Sequence, residues 1–309
     1  MIKHLEPEHV KSMPVVVPDD ETRSRIGAIA ADAVAKRARA REVQQQADEI
    51  YSKLINPDSV PVTREIMQSV PVSEISSGRR RFEGQVARSD VRQIDALVRN
   101  AATRGVDTVG AVCASVTLGN RFRRYFGPNG TPYRSAAELF DVNAPVTKRI
   151  YSGLLDNPSS YMLHEGWIIM ACSGQTYGLL GRTVVLTKQH EGVFGSHDLI
   201  RIVPDPEKIA RGYLQTVLNH ELYGRPSVVR HASGTSIPHL DPVDIRTVPV
   251  PRFDDATEAQ IADLCDEATR LSAEADALES EAISAAELVI ENRVGAVDVG
   301  AGEDSGGDE

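Results

Sequence analysis

Long apolar runs are missing from this 309-residue chain. No stretch approaches the roughly 18 to 20 residues that a bilayer-spanning helix needs. The first 17 residues lack the apolar centre of a secretory leader. Aromatics are scarce, at 5% of the sequence, so much of the packing has to come from helix–helix contact, where Ala and Leu suffice. The three cysteines, Cys113, Cys172 and Cys265, are odd in number, far apart and not at metal-ligand spacing. That excludes a disulfide framework and reads as buried thiols in a reducing, cytoplasmic setting. Also missing are a Gly-rich phosphate loop, a methyl-donor glycine motif after a strand, an Asn-Pro-Pro-aromatic motif and a nuclease-like carboxylate pair. His164, His190, His197 and His231 are scattered, with no ligand-like neighbour four residues on. Cys172-Ser173 lacks the Gly-x-Ser-x-Gly setting of an activated nucleophile. The expectation is a chain with no catalytic residue, no metal and no cofactor of its own.

The net charge of −10 argues against a polyanionic partner until the chain is divided. Residues 56–236 hold 21 Lys and Arg against 16 Asp and Glu. Residues 237–309 hold 4 against 19, and residues 1–55 hold 9 of each. The middle segment can therefore face phosphate although the whole chain is acidic.

What organises the sequence is an internal repeat. Residues 2–26 align without a gap on residues 237–261. Ile2, His4, Leu5, Pro7, Pro14, Val15, Asp19, Asp20, Thr22 and Ile26 match Ile237, His239, Leu240, Pro242, Pro249, Val250, Asp254, Asp255, Thr257 and Ile261. Glu6 with Asp241, Val10 with Ile245, Lys11 with Arg246 and Ser12 with Thr247 are conservative pairs. Each copy reads as a turn, a Pro-flanked strand (13–18 and 248–253) and a helix start at an Asp pair, which supplies N-cap oxygens and first-turn negative charge.

Beyond the caps, both copies carry a heptad pattern. Ile26, Ala33, Ala40, Ala47 and Leu54 form one series, with Ile29, Val43 and Ile50 in the other and Lys36 its polar member. The second copy has Ile261, Ala268, Ala275, Ala282 and Val289, then Leu264, Leu271, Leu278 and Ala285. Alanine in such a seam lets two helix axes approach closely, so the two copies are expected to pack on each other. Arg23, Arg25, Lys36, Arg37, Arg39 and Arg41 face an acidic second copy. Each helix, at about 36 residues, is about 54 Å long, more than one B-DNA turn of about 34 Å. After Ile290 the composition turns Gly-, Asp- and Glu-rich, the mark of a disordered tail.

Residues 56–236 show instead short β-like runs (108–114, 166–171, 183–187, 199–203), a helix within 206–220 and another from Arg88 onward. These predict an α/β domain with a curved or barrel-like sheet. Four polar or basic clusters sit in its connections. They are Arg79-Arg80-Arg81, Arg121-Phe122-Arg123-Arg124-Tyr125, the Ser173-Gly174-Gln175-Thr176-Tyr177 turn with Arg182, and His231 with Ser233 and Thr235. Arg, Gln, Ser and Thr on loops can read base edges and grip phosphate.

Taken together, the arrangement resembles the specificity (S) subunit of type I restriction–modification systems. The residues that carry the resemblance are Ser236-Ile237-Pro238-His239-Leu240-Asp241-Pro242 leading into Val248-Pro249-Val250-Pro251, the helix start at Gln260-Ile261, residues 166–182, and Gly119-Asn120-Arg121-Phe122-Arg123-Arg124-Tyr125. The resemblance implies an α/β target-recognition domain flanked by two long α-helices forming an antiparallel coiled coil. It divides the chain into a terminal strand of an incomplete recognition domain (1–18), a first spacer helix (19–55), the recognition domain (56–253), a second spacer helix (254–292) and an acidic tail (293–309). It also implies that the four loop clusters touch double-stranded DNA, and that the seam Ile26, Ile29, Ala33, Ala40, Val43, Ala47, Ile50, Ile261, Leu264, Ala268, Leu271, Ala275, Leu278 joins the helices. Partners would be modification subunits carrying S-adenosylmethionine chemistry and a restriction or translocase subunit. The family's usual order has two recognition domains; here there is one. A second would come from another chain or from a second copy. The competing expectation is a coiled-coil adaptor between proteins that binds no DNA.

Overall fold

A computed structural model describes residues 6–11, 13–76 and 81–291. In chain order its elements are α1 (Pro7–Lys11), α2 (Asp20–Ile55), α3 (Val72–Ser76), α4 (Ser89–Ala101), β1 (Val106–Thr108), α5 (Val109–Val112), β2 (Cys113–Leu118) and β3 (Phe126–Arg134). There follow α6 (Ala136–Phe140), β4 (Lys148–Ile150), β5 (Ile168–Ala171), β6 (Thr183–Val185), β7 (Phe194–Gly195), β8 (Leu199–Pro204), α7 (Arg211–Asn219), α8 (Arg225–Val229), α9 (Pro242–Ile245), β9 (Pro249–Pro251) and α10 (Asp255–Ile290). The acidic tail lies outside the described residues.

The repeat is visible in the structure. Both long helices are 36 residues, and both begin on the same cap. Asp19 accepts from the Thr22 amide at 2.7 Å and the Thr22 hydroxyl at 3.1 Å. Asp254 accepts from the Thr257 amide at 3.0 Å and hydroxyl at 2.7 Å. These bonds satisfy a backbone donor that the first helical turn otherwise leaves open.

Two compact units divide the chain: Met1–Arg37 with Glu274–Glu309, and Ala38–Ala273. In the first, the opening turns of α2 and the closing turns of α10 bury Ala33, Ala275, Ala282, Ala285 and Val289. Beside that seam Lys36 pairs with Glu274 at 2.8 Å, and Arg37 with Asp276 at 2.9 Å and Glu279 at 2.7 Å. The expected basic-on-acidic rim is present there, while Arg23 and Arg39 pair within their own helix with Asp20 and Glu42.

The second unit holds the α/β domain. In it Ala40 and Val43 pack with Ala268, Leu271 and Leu264. Ala47, Tyr51 and Ile55 join Ile261 and Ala262 in the main core, together with Ile94, Val98, Val109, Ile168, Ile200, Tyr213 and Val250. The remaining seam positions Ile26, Ile29, Ile50 and Leu278 are half-buried.

The described sheet structure is three small sheets, not the expected single curved one: β1–β9, β2–β8–β5–β6 and β4–β3–β7. The run at 108–114 is not one strand. Thr108 ends β1, a helical turn intervenes, and Cys113 opens β2. The turn brings Gly110 against Arg246, where an added Cβ would lie 3.0 Å from that residue's Cβ. The helix expected within 206–220 is shorter, at Arg211–Asn219. The strand expected at 13–18 is not formed as a strand among the described residues, where it carries a single bridge at Pro18, whereas its counterpart β9 pairs antiparallel with β1.

Candidate nucleic-acid interface

The four-stranded sheet gathers the loops. Leu118 of β2 pairs with Ile200 of β8, Ala171 of β5 with Leu199 of β8, and Met170 of β5 with Thr183 of β6. The connections that leave β2 (119–125), join β5 to β6 (172–182) and enter β8 (195–198) therefore emerge at one end of the sheet. Two clusters about 50 residues apart in sequence meet there.

The first loop is anchored by aromatic packing. Phe122 lies edge-on to Tyr161 (4.8 Å), Phe194 (5.5 Å) and His197 (5.6 Å), and the Tyr161 hydroxyl donates to the Asn120 carbonyl at 3.0 Å. With Phe122 turned inward, Arg121, Arg123, Arg124 and Tyr125 are exposed. The Arg123 guanidinium lies over the Tyr125 ring at 5.1 Å, and Arg124 is 3.7 Å from Asp198. Beneath the loops Arg201 of β8 is 2% exposed and donates to the carbonyls of Leu199, Tyr161, Gly195 and Ser196. Burial lowers its pKa to about 10. It stays charged near neutrality and fixes the 195–198 connection through backbone acceptors.

The second loop is held from two sides. On one, the Gly174 amide donates to Pro238 at 3.2 Å, the Gln175 side-chain amide to Ser236 at 3.1 Å, and the Leu240 amide to Cys172 at 2.8 Å. Ser173 and Ser233 each bridge His239, which ties the fourth cluster to the third. On the other side the guanidinium of Arg225, at the start of α8, donates to the carbonyls of Thr176, Gly178 and Leu180. The preceding Gly224 allows this approach, since a Cβ there would lie 1.9 Å from the Val217 carbonyl oxygen. Tyr177 stands out from this fixed turn, 83% exposed; Gln175, Ser233 and Thr235 are also exposed, while Ser173, Gly174 and Thr176 are half-buried. Arg182 pairs with Glu221 at 3.1 Å.

Not every expected residue faces outward. Arg79 and Arg80 lie outside the described residues. Arg81, with a side chain 12% exposed, pairs with Asp244 at 3.1 Å and donates to the carbonyls of His231 and Ala232. It staples chain segments more than 140 residues apart, which sequence position does not reveal. The His231 ring is driven by burial, then by neighbouring Arg230 and Arg81, to a pKa of about 4; it is neutral at neutral pH and recessed. Cys172 is also buried, which pushes its thiol up to about 12, so no thiolate is available there near neutrality. Arg225, Arg201 and the Phe122 anchor were missed from sequence. Arg201 had a signal, a lone cation inside an apolar strand.

No protein-family model matches the chain, and neither does any curated protein. Solved structures do.

The chain is similar to type I restriction–modification S subunits.

The S subunit from M. genitalium aligns at 13% identity with a TM-score of 0.47, over 87% of this chain and 57% of that one. A chain from a study of assembly and conformational transition of the type I R-M system aligns at 14% identity and TM-score 0.39, over 90% and 61%. The HsdS subunit from Thermoanaerobacter tengcongensis aligns at 12% and 0.36, over 89% and 58%. The chain thus spans about three-fifths of the length of these structures. Among the described residues no helix is long and apolar enough to cross a membrane.

Proposed function

We propose that this chain acts in DNA recognition as a specificity subunit, or part of one, of a restriction–modification complex, cytoplasmic and without catalytic activity of its own. The observation that carries the reading is the convergence of the 119–125 and 172–182 loops at one sheet end. There Arg121, Arg123 and Arg124 offer cations for phosphate, and Gln175 and Tyr177 offer hydrogen bonds and an aromatic face for bases. Supporting it are the locally positive charge of residues 56–236 and the motifs that resemble S subunits.

In this reading the α/β domain contacts a short double-stranded half-site, and α2 and α10 form an antiparallel coiled coil that acts as spacer. Modification subunits dock on those helices and supply S-adenosylmethionine-dependent methylation; a restriction or translocase subunit is a further partner. A second recognition domain comes from another chain or from a second copy. If from a second copy, two-fold symmetry requires an interrupted palindrome as target. Mapping methylated bases in cells that express the chain with its modification subunit tests this. One recurring short site is expected; methylation without sequence enrichment would sink the reading. A coiled-coil adaptor, by contrast, would give the complex no salt-dependent DNA binding between 50 and 200 mM.

A further inference from the structure

The loops at the sheet end, residues 119–125, 172–182 and 195–198, hold Arg121, Arg123, Arg124 and Arg182 but a single carboxylate, Asp198. A negative charge weakens the hold of such a surface on phosphate. Folding does not account for it. The side chains of Arg124 and Asp198 are 39% and 29% exposed and 3.7 Å apart, and a pair so open to water adds little stability. The turn that carries Asp198 rests on other groups. The Cys172 amide donates to the Asp198 carbonyl at 3.2 Å, the Asp198 amide to the Ser196 hydroxyl at 3.3 Å, and that hydroxyl to the carboxylate at 3.4 Å. Arg201 holds the carbonyls of Gly195 and Ser196 from beneath. An uncharged amide oxygen in place of the carboxylate would serve this turn as well.

Arg124 is set apart from its neighbours in the same way. Arg123 lies over the Tyr125 ring, whereas Arg124 lies beside Asp198 and donates to Nδ1 of His197 at 3.3 Å. Nε2 of that ring is 3.2 Å from the other carboxylate oxygen, Oδ1. Burial first, then Arg124 and Arg121, hold His197 below its ordinary value against the opposing pull of Asp198. The ring is therefore neutral at neutral pH and leaves the carboxylate its charge. The sheet end thus presents a donor fork and an acceptor-only group side by side.

In the major groove those two chemistries meet on one base pair. Guanine shows two acceptors, O6 and N7, which an arginine fork matches, and cytosine shows an amino donor, which a carboxylate accepts. That amino group and guanine O6 are themselves joined by a hydrogen bond of about 3 Å, close to the 3.7 Å between Arg124 and Asp198. Adenine sets its N7 acceptor beside its amino group, and thymine offers only O4 and a methyl, so a carboxylate meets a repelling acceptor on either.

We propose that Arg124 and Asp198 together read one C·G base pair, Asp198 accepting from the cytosine amino group and Arg124 donating to guanine. Arg121 and Arg123 are left to phosphate. The inference rests on the DNA reading above and deepens it by naming two specificity-determining residues and the base pair they select.

The test compares methylation motifs in cells that express the modification subunit with the wild-type chain, with D198N or with R124A, the host chromosome serving as the probe. The wild-type motif should contain a C·G pair at which D198N lowers the preference for cytosine about tenfold and admits adenine, which an asparagine amide suits. R124A should relax the same pair, and the other positions should keep their bases. A residue that served only the fold would lower methylation everywhere and leave the motif intact. A motif unchanged in D198N, relaxation of different pairs by the two variants, or a wild-type motif without a C·G pair overturns the inference. Should D198N support no methylation, R124A decides by the same comparison. Methylation without any motif in the wild type would sink the DNA reading and this inference with it, whereas a clear motif that ignores both substitutions sinks this inference alone.

Discussion

The guanidinium of Arg225 donates to the carbonyl of Thr176 at 3.2 Å, across 49 residues of chain, and the same group reaches Gly178 and Leu180. A buried cation that collects backbone carbonyls freezes a loop before anything binds it, so less conformational entropy is lost on binding. This is how Tyr177 can be both exposed and fixed in place.

Arg225→Ala leaves those carbonyls without a donor and removes packing under α8. A loss of about 2–3 kcal/mol in unfolding free energy is expected, with the 172–182 loop becoming cleavable by chymotrypsin at Tyr177. Arg225→Lys, a single point donor, should restore only part of either property. Urea unfolding and timed proteolysis measure both. Wild-type resistance at Tyr177 in Arg225→Ala would show that the loop is held by other contacts.

Arg121, Arg123 and Arg124 differ from Arg81 in a way that salt titration can read. Replacing the first three together with Ala should weaken DNA binding at least tenfold and flatten the dependence of log K on log salt, by roughly 0.9 for each phosphate contact removed. Arg81→Ala breaks the pair with Asp244, so it should lower the melting temperature while the salt slope stays unchanged. An unchanged slope in the triple variant would take these arginines off the phosphate path.

Features encoded locally were legible in the sequence. The heptad alanines and the Asp-x-x-Thr caps state their geometry within one or two helical turns, and Ala33, Ala40, Ala47, Ala268 and Ala275 are buried where the period places them. The three buried cysteines followed from their spacing. What escaped depends on partners far away in the chain. Arg81 looks like one more surface cation until Asp244 folds against it. Arg225 looks ordinary until the β5–β6 loop closes over it. The 108–114 run has strand-forming composition throughout, yet Gly110 must turn to meet Arg246. Val15 and Val250 show the limit most plainly, since at matched positions only Val250 lies in a strand and is buried, while Val15 is exposed.

The helix seam depends on small side chains. Ala268, which packs with Ala40, Val43 and Leu271, has no room for three more carbons. Ala268→Leu should cost about 1–3 kcal/mol through overpacking, whereas Ala259→Leu on the exposed face of the same helix should stay within about 0.5 kcal/mol. Equal effects in chemical denaturation would mean that α10 does not pack closely at Ala268.

His231 gives the fold a pH dependence whose sign follows from its surroundings. The ring lies in a cavity lined also by Arg81, Arg230, Arg99, Asp95 and Asp244. Burial first, then the charges of Arg230 and Arg81, lower its pKa from 6.5 to about 4. The folded state thus holds the ring neutral at pH values where the unfolded chain takes up a proton. Above pH 6.5 both states are neutral and the group has no effect. As pH falls from 6.5 towards 4 the unfolded state gains the proton first, so stability declines across that window. Buried His220, lowered mainly by desolvation, acts in the same direction and is present in both proteins to be compared. His231→Asn should therefore remove part of the slope of unfolding free energy between pH 6.5 and 4.5, whatever it does to stability at pH 7.5. Urea midpoints at half-unit pH steps measure it. A variant slope equal to that of the wild-type chain would mean that His231 titrates in the folded protein as it does in the unfolded one.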